Sequence, residues 1–589
     1  MRHVHLLILL TFIGGLFYQC RKDVGYIGSG DHGQELIRNP IKANLQGNVL
    51  DENGQPAANV VIKAGTETTV TDNKGYFRIN NASLDKNASL VTAEKTGYFI
   101  AYRTFSATSG TNQVVITLTK KNLSGTVNGA SGGDVSLTNG TKISLPANGI
   151  VRASDNSNYT GTVNVYAAYI DPTAADISSR VPGSFMANDK DGKRVFLSSY
   201  GMMAVELESS TGEKLQIKPG NTATLTSPIP SSRQATAPAT IALWYMDERT
   251  GLWMEEGTAT KQGSAYVGTV KHFSFWNCDI GIPALMLSAT LKTSNSQPLV
   301  NAQVVIKAND YGAASGYTDS LGDVRVLVPA NVNLAMEVKD DCGSSIYSKN
   351  IGTLTGSADL GSITVTPTGS SILTVQGKIT NCSGAAVTNG YAILTVNNWV
   401  RYAKVDASGN FSTNYVLCNA TSATVQALGV DETAQQQGNI VSFPVTLPTT
   451  DVGNISACNA EFINYTIDAN SYSLAPPDTF LGRTITQFTP YFTDIGGQGT
   501  SNTISFSFQS SSIATGTYPM SSLWLSSFFN QTIVPHLSVT ITNFPPSSIS
   551  LPPPIVVPRA QYYEGSFSGQ FIDANITHNI TCSFRVIRR

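Results

Sequence analysis

The chain has 589 residues, a formal net charge of −2 and only 13% charged residues, about half the usual share. So balanced a charge excludes a polyanion or an anionic lipid surface as the expected partner, and no nucleic acid is anticipated. Gly, Ser, Thr and Asn stand where charge would be, which suits extracellular β modules with polar, uncharged outer faces.

Arg2, His3 and His5 form a short basic n-region, and Leu6 to Tyr18 is an apolar run. The run is too short to span a bilayer but has the length of a signal-peptide h-region. It ends at Leu16-Phe17-Tyr18-Gln19-Cys20, which resembles a bacterial lipobox in loose form, with Gln19 in place of the usual Gly, Ala or Ser. The resemblance implies a signal peptide over 1–19, cleavage before Cys20 and a diacylglycerol on its sulfur. The other reading is an ordinary signal peptide with a chance cysteine, although no A-x-A-like site follows. Residues 20–40 read as the lipidated cysteine and a flexible, Gly-rich tether. Arg21-Lys22-Asp23 resembles the charged surface-export signals of Bacteroidota lipoproteins. The expectation is a protein anchored by lipid to the outer membrane and facing the cell surface, with a periplasm-facing placement as the alternative.

The mature chain is long enough for roughly four or five domains. Helical periodicity is nearly absent, and short alternating runs rich in Val, Ile, Thr, Tyr and Phe recur between Gly, Asn, Asp and Pro. Examples are Val60 to Lys63, Asn112 to Leu118 and Thr162 to Tyr166. The predicted fold class is all-β, a string of β-sandwich modules following the signal peptide and tether.

An internal repeat organises the chain. Gly54-Gln55-Pro56 followed by Val60-Val61-Ile62 returns as Ser296-Gln297-Pro298 followed by Val304-Val305-Ile306. A weaker third copy has Ser383-Gly384-Ala385-Ala386, with Ala386 replacing the proline, and then Tyr391-Ala392-Ile393. Each copy is followed by an aspartate three residues before a glycine: Asp72 and Gly75, Asp319 and Gly322, Asp406 and Gly409. Such an aspartate accepts from backbone N–H groups two residues on, and the glycine supplies positive φ, as in a type I turn with a G1 bulge.

These strings resemble the carboxypeptidase regulatory-like family, a small prealbumin-like β-sandwich. Gly47-Asn48-Val49-Leu50-Asp51-Glu52-Asn53-Gly54-Gln55-Pro56-Ala57 and Thr71-Asp72-Asn73-Lys74-Gly75-Tyr76-Phe77 carry the likeness. The match covers 41–121 well, 285–367 moderately and 373–458 only through the turns. It implies an accessory fold without catalytic residues, found on lipoproteins and outer-membrane receptors of Bacteroidota, and the name does not imply peptidase activity.

Residues 122–283 form a different module. Leu243 to Gly257 reads as a hairpin turning at Asp247 to Gly251, with Trp244 and Trp253 flanking it. The closing string His272-Phe273-Ser274-Phe275-Trp276-Asn277-Cys278-Asp279 resembles a segment of extracellular sandwich modules that accompany such repeats. A distant likeness to modules of cartilage intermediate layer proteins is also visible, and neither resemblance carries a known chemistry. The second and third repeats take 284–368 and 369–458. Residues 459–589 read as a further β domain, with Asn502 to Phe508 and Gly565 to Asp573 alternating like half-buried strands and Pro552 to Pro554 in a loop.

Residues suited to chemistry are scattered. No G-x-S-x-G, H-E-x-x-H or P-loop string occurs, and Ser83-Leu84-Asp85-Lys86 fits S-x-x-K without its partner motifs, in what reads as a loop. His32, His272, His536 and His578 fall in four segments. His272, beside Trp276 and Asn277, reads as a buried structural histidine rather than a ligand. Asp189 and Asp191 with Gly192 read as a plain turn, since a calcium loop needs further oxygen ligands. Glu255 and Glu256 are adjacent on a strand and face opposite ways, so they cannot flank one sugar bond. Trp399, Tyr402 and Trp524 suit either a core or a glycan platform.

Apart from Cys20 there are six cysteines, an even number that fits up to three disulfides among fifteen pairings. Cys382 follows the first strand of the third repeat and Cys458 the last, and such strands often run side by side, so Cys382–Cys458 is the preferred pair. Cys382–Cys418 is the next candidate.

The expected function is a non-catalytic surface scaffold, adhesion or interaction protein, with no cofactor and no metal. The alternative is an accessory lipoprotein that binds or processes glycans. An exposed row of aromatic rings would favour the alternative, and burial of those rings the scaffold.

Overall fold

The computed structural model describes residues 39–588 except 73, 368–370, 398, 419–423, 435, 459–460, 469, 476–477, 488, 501, 527–535, 545–561 and 574–575. Cys20, the apolar segment before it, the tether up to residue 38 and Pro552 to Pro554 lie outside the described residues, and the expected tether ends earlier than residue 40, since Pro40 already opens the first strand. Nearly all regular structure is strand. Among the described residues the helices are a single α-turn, Ile177–Arg180, and a 3-10 turn, Ser231–Arg233. The alternation seen in sequence is the reason. Along Gly390–Val396, Ala392, Leu394 and Val396 point into the core while Tyr391, Ile393 and Thr395 stay half-covered.

The first unit is two facing sheets. Tyr76–Asp85, Pro40–Leu50 and Asn112–Thr117 form one, and Glu67–Val70, Val61–Ala64, Ser89–Glu94 and Ala101–Phe105 form the other. The first and last strands run parallel, with Leu45 opposite Asn112. Leu45, Val49, Ile62, Phe77, Leu84, Val91 and Ile116 fill the space between the sheets, each contributing about 1.5–3 kcal/mol by leaving water. The third unit repeats this plan. Asn410–Leu417, Ser371–Thr380 and Thr449–Ser456 face a sheet built on Trp399–Lys404, Gly390–Val396 and Thr424–Asp431. Its first and last strands are again parallel, with Thr380 opposite Ser456.

The second unit follows the plan with one difference. Asp323–Pro329 and Ala358–Thr364 flank its first strand, antiparallel and parallel. That strand is the C-terminal half of an 18-residue strand, Phe275–Lys292. The N-terminal half pairs with Arg194–Ser209 and Thr240–Asp247 of the preceding unit. One sheet of 15 strands therefore runs through both units, and the position 283/284 lies inside a continuous strand. The repeat is also visible in isolated bridges: Leu50 to Pro56, Lys292 to Pro298 and Thr380 to Ala386 occupy equivalent places.

Residues 462–587 contain a nine-stranded antiparallel sheet curled around one core. Asn470–Leu474 and Thr479–Ile485 are neighbours in sequence but lie at opposite ends of the strand order. The curl brings Thr484 Oγ1 within 2.7 Å of the Tyr563 hydroxyl. One expectation is corrected here: Ser83 lies within the strand Tyr76–Asp85, not in a loop. Its hydroxyl accepts from Lys42 Nζ, and its strand pairs with Pro40–Leu50, so Ser83 to Asp85 of the S-x-x-K string are sheet and Lys86 opens the turn that follows.

Candidate functional site: the joints between units

The three aspartate–glycine turns share one geometry. Asp72 Oδ1 accepts from the N–H groups of Lys74 and Tyr76, both at 2.9 Å. Asp319 Oδ1 accepts from Leu321 at 2.7 Å and Asp323 at 2.9 Å, and Asp406 Oδ1 from Ser408 at 2.8 Å and Asn410 at 2.9 Å. Gly75, Gly322 and Gly409 have φ of 70°, 81° and 82°, a region only glycine enters without strain.

With Oδ1 committed to the turn, Oδ2 faces outward, and two of the three turns use it to hold a neighbouring unit. Asp72 Oδ2 accepts from the Tyr402 hydroxyl of the third unit at 2.7 Å. Asp319 Oδ2 accepts from the Gly110 N–H of the first unit at 2.9 Å, and Ser320 Oγ from Thr111 N–H at 2.8 Å. Asp406 Oδ2 accepts from its own Asn410 amide at 3.2 Å, within the turn. Hydrogen bonds to a charged acceptor are worth about 1.5–3 kcal/mol each.

Around Asp72 the joint is aromatic. Tyr76 stacks on Tyr402 with their planes 6° apart, and the Arg78 guanidinium lies over the Tyr391 ring at 4.9 Å. Lys74 Nζ donates to Thr395 Oγ1 at 3.4 Å, and Asn80 Nδ2 to Glu432 Oε1 at 3.2 Å. Burial pushes both the Tyr76 and Tyr402 hydroxyls well above the usual phenol range, and for Tyr402 the Asp72 charge adds to it. Both stay neutral, so the Tyr402 hydroxyl remains a donor.

The second and third units are clamped covalently. Cys342 and Cys418 form a disulfide with Cα atoms 6.0 Å apart. Beside it Arg401 Nη2 meets Asp341 Oδ1 at 2.6 Å, with the two side chains 11% and 9% exposed. Burial raises the Asp341 carboxyl above its ordinary range, and Arg401 pulls it back. The Val300 N–H donates to Asn414 Oδ1 at 3.1 Å, and the Asp341 N–H to Val416 O at 3.0 Å.

Two more joints complete the set. Cys382 and Cys458 form a disulfide with Cα atoms 4.9 Å apart, and Arg585 of the C-terminal sheet lays Nη1 3.4 Å from Cys458 Sγ. The Ile587 N–H donates to Glu461 Oε1 at 2.9 Å. The first unit joins the next through Thr104 Oγ1, which donates to Gly251 O at 2.6 Å, and through Leu90, Phe99 and Tyr102, which share a core with Trp244, Trp253 and Phe275.

The residues weighed for chemistry are spread apart. His272 stands edge-on to Tyr245 at 4.7 Å, its backbone carbonyl takes the Trp276 indole N–H at 3.0 Å, and burial lowers its imidazole. Asp189 closes a turn, its Oδ1 accepting from Asp191 at 3.0 Å and Lys193 at 2.8 Å. Glu255 accepts from the Lys190 N–H at 3.1 Å, while Glu256 faces Lys271 at 3.9 Å. His578 bonds Asp468 at 2.8 Å. Among the described residues no group of three His, Cys, Asp or Glu side chains is placed to hold a metal ion. Trp244, Trp253 and Trp276 are buried, Trp524 packs against the C-terminal core, and Trp399 is 41% exposed. Cys278 and Cys582 are buried thiols. The arrangement fixes one unit against another. Sequence reasoning did not point to Tyr76, Arg78, Asp341 or Arg401 as joint residues, and the even number of cysteines was the only signal for Cys342–Cys418.

No family model matches the chain. It is 30% identical over 122 residues to human cartilage intermediate layer protein 2, a stretch covering 20% of this chain and 10% of that protein. The mouse protein of the same name is 32% identical over 111 residues, covering 19% and 9%. The chain thus spans about a tenth of these curated relatives. Similar solved structures include the shaft pilin spaA of Lactobacillus rhamnosus GG, at 10% identity over 30% of this chain and 97% of that one, TM-score 0.16. The Bacillus anthracis TIE protein is 9% identical over 65% of this chain and 66% of that one, TM-score 0.14. At such scores these likenesses carry no argument.

Proposed function

We propose that the chain is a non-catalytic surface scaffold, anchored through a lipid on Cys20, whose fused sandwich units present a protein-binding surface away from the membrane. One observation carries this reading: the distinctive polar and aromatic side chains are used between units. Asp72, Tyr76, Tyr402, Asp319, Arg401 and Asp341 all lie in joints. A body jointed this way holds a fixed shape. The burial of Trp244, Trp253 and Trp276 supports it over a glycan platform.

Two measurements test it together. Protease treatment of intact cells is expected to remove the protein, and mass spectrometry of its mature N-terminus to find an acylated Cys20. Protein left untouched on intact cells, or an unmodified N-terminus further along, overturns the anchored-surface reading. The exposed Trp399 keeps one glycan-binding alternative in view. Glycan-array binding by the full chain that is abolished by Trp399→Ala would establish that alternative.

A further inference from the structure

The two disulfides cross along the chain. Cys342–Cys418 and Cys382–Cys458 each span 76 residues. Cys382 falls inside the first loop and Cys458 outside it, so the loops interlock rather than follow or enclose one another. Let each cystine be a node. The chain then runs between the two nodes three times: 342 to 382, 382 to 418 and 418 to 458. Each run is roughly 40 residues, about 140 Å at full extension. Everything N-terminal enters at the first node, and the C-terminal sheet leaves from the second.

We propose that this crossed pair is a redundant covalent lock, which limits extension of the 342–458 segment when the protein is pulled or partly reduced and keeps the C-terminal unit attached when that segment is nicked. Its usefulness rests on the surface-scaffold reading, but its existence does not. The placement fits the role. Cys342–Cys418 ties the second unit to the third, so a force peeling them apart loads a covalent bond beside the Arg401–Asp341 pair. Cys382–Cys458 ties the first and last strands of the third unit, where tension on the chain ends would enter. If either bridge opens, the path from 342 to 458 still crosses the other and lengthens by no more than about 15 Å. Only the loss of both frees the intervening chain, an added ~270 Å. A cut in any one run leaves two others. Exposed loop residues such as Thr355 to Ser357 and Asn439 to Ile440 lie in two different runs, and such loops are where proteases act first.

Stretching single full-length chains by their ends tests this, because a fully extended length depends on covalent connectivity and not on whether a variant folds. Cys342→Ser with Cys418→Ser, and separately Cys382→Ser with Cys458→Ser, are expected to match the oxidised wild type within about 15 Å. The fourfold variant is expected to be longer by roughly 270 Å. If either pair of substitutions alone gives the full extra length, the bridges are not crossed and the proposal fails. A second measurement uses a protease site inserted at Asn439–Ile440. The cut chain should run as one band without reductant and two with it, and two bands without reductant would overturn the lock. Neither result depends on where the protein resides, so failure here is separate from failure of the surface reading.

Discussion

At Gly75 an added Cβ would lie 2.3 Å from Val49 O and 2.9 Å from Ala57 N, at a φ of 70°. At Gly409 the nearest atom, Ile379 O, is 2.9 Å away. Left-handed strain alone costs about 1–2 kcal/mol, and backbone that cannot move aside adds to it at both sites, most at Gly75. Gly75→Ala is therefore expected to lower stability by more than ~3 kcal/mol and Gly409→Ala by about 2 kcal/mol, measured by urea unfolding; equal losses would contradict this. Asp279 is a different residue-scale case. It is wholly buried beside Asn277, and burial raises its carboxyl well above the ordinary range, while Ser199, the Tyr200 N–H and Arg233 pull it back. A carboxyl raised in the folded state favours folding below its unfolded pKa, and that contribution is lost as pH rises through the folded value. Asp279→Asn should remove this dependence, so the variant gains on the wild type from acid to neutral pH. Parallel unfolding midpoints for the two proteins across that range would refute it.

Between elements, the buried Arg401–Asp341 pair has a definite expected behaviour. Removing one partner of such a pair leaves a desolvated charge and costs about 3–5 kcal/mol, whereas replacing both can be nearly neutral. Arg401→Met should destabilise the third unit by that amount, and adding Asp341→Leu should restore most of it. A double variant no better than the single one would show that the pair itself, not the orphaned charge, stabilises. This scale also shows where sequence stops informing. The all-β class was legible because alternation such as Thr162 to Ile170 is local: each strand needs only its own period to declare a buried face. The joints were not, because their partners are distant. Tyr402 and Asp72 are 330 residues apart, and no local period marks an outward tyrosine as a docking residue. The long strand Phe275–Lys292 was equally hidden. A pattern break near Gly281 and Pro283 looks like the end of a module, yet Pro283 sits where the strand passes from one set of partners to the next.

For the whole molecule, the joint of the first and third units couples parts that sequence separates. Tyr402→Ala removes the stack on Tyr76 and the bond to Asp72 together, at a cost of roughly 3–5 kcal/mol. In calorimetry the wild type should show the two units melting together, and the variant should show one transition split in two; an unsplit transition that merely moves to lower temperature would argue against coupling. The shared strand Phe275–Lys292 has a consequence of another kind, in the order of events as the chain is made. Synthesis delivers this strand as the last major piece of one sheet and the first of the next. Once its leading half is seated between Arg194–Ser209 and Thr240–Asp247, its trailing half stands out as a fixed template. Asp323–Pro329 and Ala358–Thr364 then find one partner already immobilised, which lowers the entropy cost of closing the later loops. Growth at the ribosome would thus proceed like a zip fed from a finished edge, each unit seeding its successor.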